Sequence, residues 1–162
     1  MVCYANNSLS EYLERLAARE PVPGGGSAAA VSAAMGAALI VMSIRYSVGK
    51  GKTRGIEARL EKIMAEAEKV RKRFIADISR DAQVYLNVVA ARKNGGKAAL
   101  RKANRAAAIV PRELVRACRA LLKSVPFLKK EVNRYLVSDM LAAEVFLNAA
   151  INAAQAMVEA NQ

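Results

Sequence analysis

Glu20-Pro21-Val22-Pro23-Gly24-Gly25-Gly26-Ser27 runs directly into the uncharged, alanine-rich stretch from Ala28 to Ile44. Two prolines stiffen the approach, three glycines open backbone geometries closed to other residues, and Ser27 stands where a helix cap is expected. A glycine-rich loop ahead of a helix start leaves unpaired N–H groups at the positive end of the helix dipole. Such a mouth suits a carboxylate, a phosphate or another electron-rich ligand. Read without that function, the same residues make a stiff turn between two helices.

Outward from this stretch the pattern is helical throughout. Ser8 with Glu11 forms a capping-box signature, and Leu9, Leu13 and Leu16 give a short first helix one apolar face. The second helix is expected from Ser27 to Ser47, ended by Gly49-Lys50-Gly51-Lys52. A third, from about Gly55 to Arg92, carries Ile56, Leu60, Ile63, Ala67, Val70, Phe74, Ile78, Tyr85 and Val88 on one stripe. At 1.5 Å per residue it is about 57 Å long, more than a compact domain needs internally, so part of it is expected to pack on another subunit. Asn94-Gly95-Gly96 ends it and a fourth helix begins near Lys97, where Pro111 must either kink it or start a new one. After Ser124-Val125-Pro126 a last helix, from about Leu128 to Ala160, aligns Val132, Leu136, Ala143, Leu147, Ala150, Ala154 and Met157. The expected fold is an all-α antiparallel bundle of about five helices, two of them long, around a tightly packed Ala/Gly-rich helix.

With 162 residues and 54% apolar content, residues 1–162 are expected to form one domain with a real core. Ser27 to Ile44 is long enough to be tested as a membrane span, yet its alanine, glycine and serine favour close helix packing in a soluble core, and no membrane association is expected. The N-terminus shows no basic-then-apolar leader, so a cytoplasmic location is expected, with Cys3 and Cys118 as reduced, isolated thiols. Histidine is absent, which excludes histidine metal sites, Ser-His or Cys-His nucleophiles and the imidazole proton shuttle. Acid-base chemistry must fall to carboxylates, lysines, tyrosines, thiols or water.

Only three aspartates occur, Asp77, Asp81 and Asp139, all inside expected helices. Asp81 lies between Ile78 and Tyr85 on the buried stripe of the third helix, and Asp139 between Leu136 and Ala143 in the seam of the last. A carboxylate there must be paired, hydrogen-bonded or raised in pKa. Asp139 reads equally as a structural ion pair or an active-site acid-base group, whereas Asp81 leans structural and Asp77 more so. The stretch Lys97 to Arg134 holds eleven Lys or Arg against two Glu, contributing +9 of the chain's net +12. A solvated face, a funnel for an anionic small molecule and a nucleic-acid footprint all fit it. The scarcity of aromatics, 5% of residues, disfavours nucleic acid.

The block from Ser27 to Ile44 followed by Ser47-Val48-Gly49-Lys50 resembles the opening of the formiminotetrahydrofolate cyclodeaminase and methenyltetrahydrofolate cyclohydrolase family. Asn133-Arg134-Tyr135-Leu136-Val137-Ser138-Asp139, with Asn152, is similar to a later family block, and Asp81-Ala82 with Tyr85 and Val88 to its central helix. The resemblance implies an enzyme that cyclises 5-formiminotetrahydrofolate to the 5,10-methenyl form with release of ammonia, or hydrolyses the methenyl form to 10-formyltetrahydrofolate. It tips Asp139 toward the catalytic proton-transfer role. The loop Gly24, Gly25, Gly26 and Ser27 would hold the substrate together with Asp81, and Lys50 and Lys52 would attract its acidic tail. The implied partner is a reduced folate, with or without a polyglutamate tail. No metal and no cofactor beyond the tetrahydrofolate is implied, because the folate carries the one-carbon unit. A homodimer or higher homo-oligomer is expected. The competing reading is a non-enzymatic basic helical oligomer that binds nucleic acid or an acidic partner.

Overall fold

A computed structural model describes residues 4–161, and within them every regular element is helical. The elements are α1 (Leu9–Ala17), α2 (Gly25–Arg45), α3 (Arg54–Asn94), α4 (Lys97–Ala107), α5 (Ile109–Leu122), α6 (Val125–Glu131), a single 3-10 turn (Arg134–Leu136) and α7 (Val137–Ala160). Cys3 lies outside the described residues. The expected five helices become these segments through two breaks. The fourth divides at Ala108, three residues ahead of Pro111, as the missing N–H requires. The last divides at Val132 and Asn133, where the chain turns extended. There the Asn133 N–H donates to Ser47 Oγ, and its side chain accepts from the Tyr135 N–H.

Helix α2 is the central element, packed chiefly against α3 and α7. Its small residues permit the approach. A Cβ on Gly36 would stand 2.8 Å from Leu147 Cγ and 3.0 Å from the Ala143 carbonyl oxygen. Ser32 Oγ donates to the Phe146 carbonyl at 2.9 Å, and Gly25 faces Met157. As α2 advances from Gly25 to Gly36, its neighbours on α7 recede from Met157 to Ala143, so the two helices are antiparallel. Around this seam Ile40, Ile44, Leu60, Phe74, Leu114, Leu128, Met140 and Leu147 are fully buried. Cys118 joins them, and burial pushes its thiol up to about 12. Both α2 and the segment ending in α7 are long and apolar enough to cross a membrane; more than half of the α2 window is buried against the rest of the chain.

The start of α2 meets α3 near Asp81 rather than at its end. The last 13 residues of α3, about 20 Å at 1.5 Å per residue, therefore project beyond α2, and α4 folds back along them. The excess length of α3 is thus partly covered within the chain. Asp77, one turn before Asp81, is almost completely buried and sits between Arg73 and Arg80, which also grip Glu113. Burial raises its pKa while the two guanidiniums oppose the rise, the behaviour of a structural ion pair.

Replacing Gly36 with Val tests the α2–α7 seam. The new side chain meets a backbone carbonyl that cannot rotate away, so we expect a loss of about 2 kcal/mol in thermal or denaturant unfolding. Unchanged stability would show that the two helices are not in close contact.

Candidate active site

Helix α2 opens at Gly25 with Gly24 as its cap residue, two positions earlier than the sequence suggests, and Ser27 is already inside the first turn. Ser27 makes no cap bond. Its Oγ is fully buried and shares a 3.0 Å hydrogen bond with the Tyr12 hydroxyl, while its backbone N–H hydrogen-bonds Asp81. The group that fills the helix mouth is therefore the carboxylate of Asp81, delivered from α3. The approach is so close that a Cβ on Gly26 would stand 2.3 Å from Asp81 Oδ1. Only glycine fits there.

Two tyrosines hold the loop from behind. Tyr4 donates its hydroxyl hydrogen to the Val22 carbonyl at 3.0 Å and stacks edge-on with Tyr12, ring centroids 6.2 Å apart. Burial raises the pKa of both, so each remains a neutral hydroxyl at physiological pH.

In front of the loop is a cleft of about 340 Å³. Gly24, Gly25 and Gly26 form one lip, Asp81, Tyr85 and Arg92 the α3 wall, Asn104 the α4 wall, and Met157 with Asn161 the end of α7. Asn104 Oδ1 is buried with no protein partner. Opposing effects set the state of Asp81. Burial raises its pKa most, the Ser27 N–H lowers it, the nearby Asp77 charge raises it again, and the result is about 6, well above the ordinary 3.8. Such a group exchanges a proton near neutrality.

The sequence-predicted residues divide into two sets. Gly24, Gly25, Gly26, Ser27 and Asp81 come together. Lys50, Lys52 and Asp139 lie at the other end of α2 and α7. Asp139, in the first turn of α7, precedes Met157 by 18 residues, about 27 Å at 1.5 Å per residue. Lys52 pairs with Glu131 at 3.4 Å, and Gly49 and Gly51 take positive φ, 71° and 78°, to turn the chain there. Within one chain none of these three reaches the cleft. Tyr12, Arg92 and Asn104 were not singled out from sequence, which carries no local signal that brings them to the glycine loop. No group of side chains suited to a metal occurs among the described residues.

The profile of the formiminotransferase-cyclodeaminase family matches residues 8–162. The chain belongs to this family. A methenyltetrahydrofolate cyclohydrolase of Methylorubrum extorquens AM1 is 30% identical to it over 96% of this chain and 79% of that protein. The crystal structure of a formiminotetrahydrofolate cyclodeaminase from Thermotoga maritima superposes with a TM-score of 0.90 at 28% identity, covering 96% of this chain and 78% of that one. The cyclodeaminase fold expected from the sequence is the one observed, and the cleft beside the glycine loop is the candidate site of this family member.

The raised pKa of Asp81 makes stability depend on pH. A carboxyl raised from 3.8 to about 6 on folding contributes stability that is complete below about 3.8 and is lost as pH rises through about 6. An Asp81→Asn variant keeps the shape and cannot ionise. It should unfold later than wild type at pH 8, by up to about 3 kcal/mol, with the advantage gone by pH 4. An advantage independent of pH would contradict the assignment.

Proposed function

We propose that this protein is a folate one-carbon enzyme that interconverts the 5,10-methenyl and 10-formyl forms of tetrahydrofolate with water, or forms the methenyl ring from 5-formiminotetrahydrofolate with loss of ammonia. The observation that carries this reading is a proton-exchanging carboxylate, Asp81, seated on the glycine-lined start of α2 at the wall of a cleft, in a chain of this family. Both reactions need one group that takes a proton from the attacking nucleophile and returns one to the leaving nitrogen. In the hydrolytic direction water adds to the electrophilic one-carbon centre, Asp81 receives its proton, and the adduct collapses. The carbon–N5 bond breaks, N5 takes that proton from Asp81, the adduct's hydroxyl releases its own proton to solvent as the C=O forms, and the formyl group stays on N10. In the deaminating direction N10 adds to the formimino carbon and the proton passes to the departing ammonia. The folate supplies the one-carbon unit, and no further cofactor or metal enters the reading.

Asp81 replaces Asp139 as the proton-transfer group within the subunit because Asp139 lies at the far end of α7. Asp139 re-enters only in an oligomer. The outer face of α2 and α7 exposes Met35, Leu141 and Val145, 43%, 50% and 66% accessible, in a chain otherwise rich in surface charge. We infer that a second copy covers this face. A two-fold axis normal to α7 reverses its direction, so the Asp139 end of one copy would face the cleft end of the other. Sedimentation should show twice the 17.4 kDa chain mass; a 17.4 kDa species at micromolar concentration would remove the dimer. The exposed cations of α4, Lys97, Arg101, Lys102 and Arg105, would attract an anionic folate, polyglutamylated or not. The non-enzymatic, nucleic-acid-binding reading has only this charge in its favour.

The test is turnover of 5,10-methenyltetrahydrofolate and 5-formiminotetrahydrofolate, followed by methenyl absorbance. Wild-type kcat/KM should rise with pH through about 6 as Asp81 ionises, and Asp81→Asn should lower kcat by at least ~100-fold while the protein stays folded. Full activity in Asp81→Asn removes the mechanism. Wild type inert toward both compounds removes the function.

A further inference from the structure

Helix α3 presents three chemically different groups to the cleft in a fixed order. Asp81, Tyr85 and Arg92 all line it. At about 100° per residue Tyr85 lies within roughly 40° of Asp81 around the helix axis, and Arg92 within roughly 20°. They therefore share one face, about 6 Å and about 16 Å along it from Asp81 at 1.5 Å per residue. Side chains of a helix lean toward its N-terminus, so the long Arg92 side chain is directed back toward Tyr85. The sequence is acid, aromatic ring, cation.

Arg92 also has no internal task. It is exposed, and no ion pair among the described residues involves it, whereas Arg71, Arg73, Arg80, Lys52 and Lys129 all have carboxylate partners. From Ala82 to Arg112 the chain holds seven Lys or Arg and no Asp or Glu. Along this end of α3 and along α4, a carboxylate in the cleft meets no acidic side chain.

A reduced folate has a matching order: the reacting one-carbon centre, an aminobenzoyl ring, then a glutamyl group with its carboxylates. Resting on the folate reading above, we propose that Arg92 anchors the glutamyl carboxylate of the substrate, with Tyr85 against the aminobenzoyl ring between that anchor and the reacting centre at Asp81. Arg92 then takes the role that Lys50 and Lys52 were expected to play. Lys52 is bound to Glu131, and both lysines sit at the opposite end of the bundle. A guanidinium suits the task because its forked donors match a carboxylate two to two.

The experiment compares 5,10-methenyltetrahydrofolate with 5,10-methenyltetrahydropteroate, which lacks the glutamyl group, on wild type, Arg92→Gln, Arg92→Lys and Arg119→Gln. Arg119 is exposed on α5 and controls for loss of one charge anywhere. Arg92→Gln should raise KM for the folate about 30-fold with kcat unchanged, the scale of one charge-assisted hydrogen-bonded pair. It should leave KM for the pteroate as in wild type. Arg92→Lys should recover part of the loss, and Arg119→Gln should match wild type. Equal losses on both compounds, equal losses in Arg92→Gln and Arg119→Gln, or no loss at all would overturn the assignment while leaving the folate reading intact. A wild type that converts neither compound would overturn both.

Discussion

The contact between the Asp81 carboxylate and the first turn of α2 is the constraint on which the rest of the site depends. It needs glycine at position 26, because any side chain would occupy the space of the carboxylate. It needs α3 to cross α2 at Asp81, which leaves the end of α3 projecting as a wall and gives α4 a surface to fold along. It also balances two large electrostatic effects. Burial opposes the charge, and the helix N-terminus with the Ser27 N–H favours it, leaving a carboxyl poised near neutrality rather than fully ionised or locked neutral. Asp77, one turn earlier, shows the alternative outcome: it is more deeply buried, but two arginines hold it as a structural pair.

The small residues of α2 serve packing and chemistry together. Gly36 lets α7 approach, and the antiparallel seam that follows carries Met157 to the lip of the cleft and Asp139 away from it. The same apolar helix that could be tested as a membrane span is the centre of the bundle. Its outer side exposes Met35, and α7 exposes Leu141 and Val145.

Much of this was legible in the sequence. Helix periodicity placed α1, α2 and α3 to within a few residues, and Pro111 marked the break that Ala108 makes. The glycine loop reads in the sequence as a helix mouth suited to an anion, and in the structure the Asp81 carboxylate lies against it. What filled it was not readable, because nothing local to residues 24–27 says that the anion comes from a side chain more than fifty positions away. Ser27 looked like the cap for the same reason; Gly24 takes the cap position, and the serine hydroxyl is drawn to Tyr12. The stripe of α3 did show Asp81 facing inward. Asp139 was favoured through its resemblance to a family block, and only the antiparallel packing of α2 and α7 shows how far it stands from the loop within one chain. Arg92 was hidden among many cations, and the projection of α3 beyond α2 is what distinguishes it.

The claim that the Asp81 carboxyl is held desolvated against the start of α2 is tested most directly by a carbon-13 NMR titration of the three aspartate side-chain carboxyls in the folded protein. One resonance, lost in Asp81→Asn, should titrate at about 6. A midpoint at or below the ordinary 3.8 would show a solvated or fully ion-paired carboxylate and contradict the account.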